Sequence, residues 1–289
     1  MAHKVIITSD STCDLSKELL ENYGIVINPL TIILGAQDYR DGVDVTPDDI
    51  YDFVAKTGQL PKTAAANITE YEDFFRPYVE QGYQIVHFTI SSQMSGSFHN
   101  SELAAATFPE VYAVDSQNLS TGIGLLVLRA AELAREGLSA KEIYEQICAL
   151  RDKVDVSFVV DTLEYLHKGG RCSSVAKLGA NLLQLKPCIE VKKGAMGVGK
   201  KYRGKIADVV PAYIAQRLHD PDDIDTHRVF VTHSGCPKEM EDKAVAKVKE
   251  LMHFDEILVT RAGCSVSTHC GPNTLGVLFI RKSPICKDS

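Results

Sequence analysis

One histidine near the end of the chain sits among small and polar residues, in Gly263-Cys-Ser-Val-Ser-Thr-His269-Cys-Gly271-Pro272. An imidazole can donate a hydrogen bond, take up a proton or hold a metal. Apolar, β-rich runs at 257–259 and 277–280 flank it, so the sequence predicts a Gly/Ser/Thr/Pro loop between two buried strands. Loops of that kind carry binding groups because a rigid scaffold holds them in place. A second candidate is Ser91-Ser-Gln-Met-Ser95-Gly96-Ser97-Phe98, which follows a predicted strand and opens a helix. Free backbone amides and the positive end of the helix dipole gather at such a point. Hydroxyls, together with a glycine that permits close backbone approach, make it a cradle for an anionic head group. The same spacing also satisfies ordinary helix capping by Ser95 or Ser97. Asp10-Ser-Thr-Cys-Asp14 and Asp115-Ser116 follow two other predicted strands at the same carboxyl edge, where open α/β sheets bind ligands. Lys62-Thr63 opens one more small-residue loop that can join them.

These residues also permit a reactive arrangement: Ser95 as nucleophile, His269 as base, and Asp10 or Asp115 as orienter, acting on a lipid or acyl substrate. Against it, the chain contains no Gly-x-Ser-x-Gly elbow. A metal is not expected either. The eight cysteines are dispersed without a Cys-x-x-Cys pair, and Cys264 and Cys270, which flank His269, read as small buried hydrophobes. Gly194-Ala-Met-Gly-Val-Gly199-Lys200-Lys201 nearly matches a nucleotide-binding P-loop. It has lysine where the Mg²⁺-holding hydroxyl belongs, and no helix follows. It reads instead as a glycine-rich hairpin turning at Lys193-Gly194. With Lys192, Lys193, Lys200, Lys201, Arg203 and Lys205, the hairpin over 192–205 is a basic patch on an acidic chain. Such a patch is a solvated face or a docking surface for an acidic partner or an anionic membrane.

A net charge of −7 argues against nucleic acid as a partner, which calls for a basic face. No stretch approaches the roughly 20 apolar residues of a membrane span. The N-terminus reaches a strand at once, so the chain reads as cytoplasmic. Its 289 residues suffice for two domains, at roughly 100–200 residues each.

The elements that must position these groups change character midway. Up to about residue 153, short β-rich runs (5–9, 26–34, 84–90, 111–114) alternate with helical patterns (16–23, from 46, 69–80, 97–107, 124–136, from 139). That alternation predicts a largely parallel, Rossmann-like sheet with helices on both faces. From residue 154 the pattern mixes a hairpin (188–192 with 199–203), helices (178–185, 206–218, 238–252) and strands (156–160, 229–232, 256–260, 277–280), as in an α+β mixed sheet. The expected domains are therefore 1–153 and 154–289, with a frayed tail at 283–289.

Taken in order, these motifs resemble the DegV family of fatty-acid-binding proteins. The matching residues are Thr8-Ser-Asp-Ser-Thr-Cys-Asp-Leu15, Lys62-Thr63, Ser91–Phe98, Asp115-Ser116, Leu163-Glu-Tyr-Leu-His-Lys-Gly-Gly-Arg171, Lys186-Pro187, His233-Ser-Gly235 and His269-Cys-Gly-Pro272 with Leu275-Gly276. The resemblance implies a two-domain DegV-like fold with a long-chain fatty acid in an interdomain tunnel. The carboxylate would be held by Thr63, Ser95, the Gly96 amide and His269. It further implies a carrier rather than an enzyme, with no cofactor of its own. The carrier would present the acid to a separate fatty acid kinase, which makes the acyl phosphate that feeds phospholipid synthesis. Ser92, Arg171 and Arg203 are further candidates for the head group or for docking the kinase, with internal salt bridging as the alternative for the arginines. The chain departs from the family pattern at Ala64-Ala-Ala-Asn67, Met94, Cys172 and Asn273, positions that bear on loop shape and acyl-chain preference.

Overall fold

The computed structural model describes residues 4–172 and 185–285. In the first half β1 (Val5–Asp10), α1 (Lys17–Tyr23), β2 (Val26–Asn28), β3 (Thr31–Leu34), β4 (Gln37–Arg40), α2 (Pro47–Thr57) and β5 (Lys62–Ala64) follow one another. Then come α3 (Ile68–Glu80), β6 (Gln84–Thr89), α4 (Ser97–Ala105), β7 (Val111–Asp115), α5 (Thr121–Arg135) and α6 (Ala140–Leu150). Four strands make an all-parallel sheet in the order β2-β1-β6-β7, the α/β arrangement that the alternation predicts. Local chemistry sets the helix starts. Capping boxes pair Thr46 with Asp49, Asn67 with Glu70 and Ser139 with Glu142, each satisfying two otherwise orphaned amides.

Two expectations fail in this half. The run at 26–34 is not one extended segment, because Pro29-Leu30 breaks it into β2 and β3. Lys62-Thr63 is not a loop but part of β5, which pairs antiparallel with β3 in a small sheet ordered β4-β3-β5. Three-residue strands with little apolar alternation leave no period to read.

The second half contains β8 (Val154–Val159), α7 (Glu164–Gly169), β9 (Leu185–Lys192), β10 (Ala195–Arg203), α8 (Ile206–Arg217), β11 (Ile224–Ser234), α9 (Lys238–Leu251), β12 (Glu256–Arg261), α10 (Cys264–Cys270) and β13 (Thr274–Arg281). Its six-stranded sheet runs β10-β9-β8-β13-β11-β12 and is antiparallel except for the β11–β12 pair. The hairpin turns at Lys193-Gly194, both with positive φ as a two-residue turn demands. Its strands are longer than expected, and Lys186-Pro187 lies within β9 rather than ending a helix. The helix predicted at 178–185 falls outside the described residues except for Leu185, which opens β9, and residues 286–289 of the tail also lie outside them.

Helix α5 joins the halves. Eleven of its fifteen residues are buried, as expected of a helix packed between layers. It packs on β1 and also against β8 and β13. Two glycines make this possible. A Cβ at Gly122 would lie 2.4 Å from Val156, and one at Gly124 would lie 2.8 Å from Leu15. One continuous core therefore includes Val86 and Phe88 of the parallel sheet, Ile123 to Leu128 of α5, and Val156, Phe158 and Leu278 of the mixed sheet.

Candidate functional site

His269 does not sit in a loop. It lies in the last turn of α10, a seven-residue helix of mostly Ser, Thr and Cys, which are indifferent helix formers. The helix forms because distant carboxylates take its first amides. Asp14 Oδ1 accepts from the Gly263 N–H at 2.8 Å, and Asp41 accepts from those of Cys264 (2.9 Å) and Ser265 (3.0 Å). The partners lie more than 200 residues away in sequence, so no local pattern announces the helix. Both carboxylates are buried. Burial pushes the Asp14 carboxyl up to about 8, with its hydrogen bonds from Ser120 and Gly263 opposing the shift.

From that helix the His269 imidazole reaches β5, where its Nε2 stands 3.0 Å from the Thr63 hydroxyl. Its Nδ1 is buried and has no hydrogen-bond partner among the described residues. Burial, aided by the Arg171 charge, pushes the imidazole down from 6.5 to about 4, so it is neutral at physiological pH. The other face of the ring lies on the end of α7. A Cβ at Gly169 would come within 2.6 Å of Nδ1, so the first glycine of Gly169-Gly170-Arg171 is a steric requirement of the imidazole.

A cavity of about 170 Å³ opens beside this pair. Thr63, Ser95, Gly96, Arg171 and His269 all line it, together with apolar side chains that include Leu30, Ile90, Met94, Leu119 and Val266. The space is thus mostly apolar, with a few polar groups in its lining. The Ser95 hydroxyl oxygen accepts from the Ser97 amide at 3.2 Å and lies 2.9 Å from the Ser97 hydroxyl. It therefore caps the start of α4 and faces the cavity at once, joining the two readings that the sequence left open. Gly96 has an ordinary helical backbone (φ −74°), and a Cβ there would meet nothing within 4 Å, so protein crowding does not demand a glycine.

The remaining candidates separate. Arg171 is exposed at the cavity rim and donates to the Gly169 carbonyl at 2.7 Å. Ser92 turns away, donating its amide (3.1 Å) and hydroxyl (2.6 Å) to the Asp115 carboxylate. Arg203 ends β10, exposed and outside the cavity lining. The reactive arrangement is not assembled: Ser95 bonds to Ser97, whereas His269 bonds to Thr63. Asp10, its first candidate orienter, is buried and accepts from Tyr71 OH (2.8 and 3.0 Å) and from Asn28. Among the described residues no cluster of three or more His, Cys, Asp or Glu side chains is suited to a metal.

Several lining residues escaped the sequence reading, among them Ser265, Val266 and Met196. Ser265 and His269 are four apart and share a helix face, a signal visible only once 264–270 is known to be helical. Met196, on β10, places the basic hairpin beside the cavity.

A family model described as an uncharacterised protein of the DegV family matches residues 4–282. A DegV domain-containing protein of Clostridium perfringens is 31% identical over 284 residues, covering 96% of this chain and 99% of the relative. Among solved structures, a fatty-acid-binding DegV family protein from Thermus thermophilus superposes with a TM-score of 0.86 at 30% identity, covering 96% of this chain and 99% of that one. A stearic acid-binding protein from Eubacterium ventriosum gives a TM-score of 0.81 at 30% identity, over 96% and 98% of the two chains.

Proposed function

Because the chain belongs to the DegV family, we propose that it is a carrier of long-chain fatty acids that binds the carboxylate at Thr63, Ser95, the Gly96 amide and His269. The single observation that carries this reading is the convergence of all four residues on one largely apolar cavity, with Thr63 and His269 already in hydrogen-bond contact. The chemistry is balanced. Each buried methylene contributes about 0.8 kcal/mol, so the tail supplies most of the affinity. A carboxylate cannot be buried bare, and two hydroxyls, an amide and an imidazole meet its needs without a metal or other cofactor. The resemblance of the similar Thermus and Eubacterium proteins, which are described as binding fatty acid, supports the same ligand.

In this reading the protein is not an enzyme. It acts in the cytoplasm and presents its acid to a separate kinase that phosphorylates the carboxylate. Arg171 at the rim and the basic hairpin beside it are suited to docking that kinase and to transient contact with an anionic membrane surface. No helix among the described residues is long and apolar enough to cross a membrane.

The test is extraction. Protein purified from a bacterial host is denatured, and the released lipid is identified by mass spectrometry. A long-chain fatty acid near one per protein is expected. Lipid-free protein that also fails to take up added oleate or palmitate overturns the reading.

A further inference from the structure

The loop that carries Ser95 and Gly96 is organised around Ser91, which is fully buried and stands outside the cavity lining. The Ser91 carbonyl accepts from the amides of Met94 at 2.9 Å and Ser95 at 3.2 Å, closing the turn that leads into α4. The Ser91 amide donates to the Asn118 carbonyl at 2.9 Å, and the hydroxyl oxygen accepts from the Gln93 amide at 3.2 Å. One donor remains, the hydroxyl proton. It goes to the Gly194 carbonyl at 2.7 Å, 103 residues away in the second half of the chain.

Gly194 stands at the turn of the β9–β10 hairpin, where its φ of +80° suits a glycine. A Cβ there would lie 2.6 Å from the Ser91 hydroxyl oxygen and 3.3 Å from Gln93, so the tip lies directly against the loop. Within its sheet β10 is an edge strand, bonded to β9 alone. Two residues past the tip, Met196 lines the cavity. The bond from Ser91 therefore ties the hairpin of one half to the head-group loop of the other. A buried hydroxyl engaged as both donor and acceptor fixes the backbone on either side of it, and truncating it breaks both bonds at once.

We propose that Ser91 is a positioning residue for the carboxylate: its latch to Gly194 sets where the Ser95 hydroxyl and the Gly96 amide stand, so hairpin tip and head-group site are coupled. This rests on the fatty-acid reading and adds to it a residue that touches no ligand. A carboxylate is the sensitive reporter, because hydrogen bonds to an ionised acceptor are about twice as strong as neutral ones. An alcohol of the same length fills the same apolar space with a neutral head group, and the flexible Met196 side chain can repack around either tail.

The experiment uses delipidated full-length protein and displacement of a fluorescent fatty acid by tetradecanoic acid and by tetradecanol. Ser91→Ala is expected to weaken the acid about tenfold and the alcohol about threefold at most. Gly194→Ala leaves every residue of the first half intact and is expected to do the same from the hairpin side. It also serves if Ser91→Ala does not fold, as judged by thermal melting. The double variant should bind the acid no more weakly than the weaker single variant, since both changes break one latch. Equal losses for acid and alcohol, or undiminished binding of the acid, overturn the proposal but leave the fatty-acid reading standing. Tetradecanoic acid that fails to displace the probe from the unaltered protein overturns both.

Discussion

Thr63 and His269 are 206 residues apart in sequence, yet the hydroxyl of one stands 3.0 Å from Nε2 of the other. The pair joins β5 of the first half to α10 of the second. With a neutral ring only one proton lies between them. If Nε2–H donates to Thr63, the threonine proton is released toward the cavity, where a carboxylate can accept it. In the proposed complex, the clasp across the two halves would thereby serve as a head-group donor.

His269→Ala, or Thr63→Val with Ser95→Ala, should weaken fatty-acid retention by about 1.5–3 kcal/mol, the range for hydrogen bonds to a charged group. Lipid content by mass spectrometry and a displacement assay measure this, with thermal melting as the check on folding. Unchanged lipid content would remove these residues from the site.

Acid should tighten binding. In the free protein the imidazole is held at about 4 by burial and by Arg171. A carboxylate beside it favours the imidazolium, so its pKa is higher in the complex. The complex then binds more protons than the free protein, and affinity rises as pH falls through the raised pKa of the complex toward the free value of about 4, by at most about tenfold per unit. His269→Gln should flatten that dependence. Affinity that weakens with acid in this window contradicts the arrangement.

Gly169→Ala should act through the histidine. Its Cβ would come within 2.6 Å of the imidazole Nδ1, so the ring must move off Thr63. Loss of about tenfold or more in fatty-acid affinity is expected, with little change in melting temperature. A ¹⁵N-edited NMR spectrum of the imidazole reports the displacement directly.

Asp41→Ala should be costly to the fold. It leaves the buried amides of Cys264 and Ser265 and the Ser11 hydroxyl without their acceptor. A destabilisation of about 2–4 kcal/mol in urea denaturation is expected, with Asp41→Asn milder.

Ser95 should resist a fluorophosphonate probe. Its oxygen is engaged by Ser97, and the imidazole that would activate it bonds to Thr63 instead. Stoichiometric labelling would restore the hydrolase reading.

Much of this was legible in the chain. Repeated strand–helix alternation and capping boxes such as Ser139 with Glu142 are local signals, and they marked the parallel half correctly. What escaped was built from distance. Helix α10 has weak intrinsic propensity and is stabilised by Asp14 and Asp41, so its segment read as a loop. Strand β5 is three residues long and defined by its pairing with β3, so Thr63 also read as a loop residue. Thr63, Ser95, Gly96 and His269, singled out through the motifs that carry the family resemblance, all line one cavity. Ser92, held by Asp115, and Arg203 lie outside that lining, because their neighbours in space decide where they point.

Gly122 lets α5 lie flush against β8 and Gly124 lets it close on the turn that follows β1, and this governs how the protein comes apart. Neither sheet can keep its buried face dry once the other leaves, because the covering helix is common property. Heat or denaturant should therefore melt both halves in a single cooperative transition, with coincident far-ultraviolet and tyrosine signals. In the proposed carrier, a fatty acid would then come and go by yielding at the cavity rim, not by the two halves swinging apart.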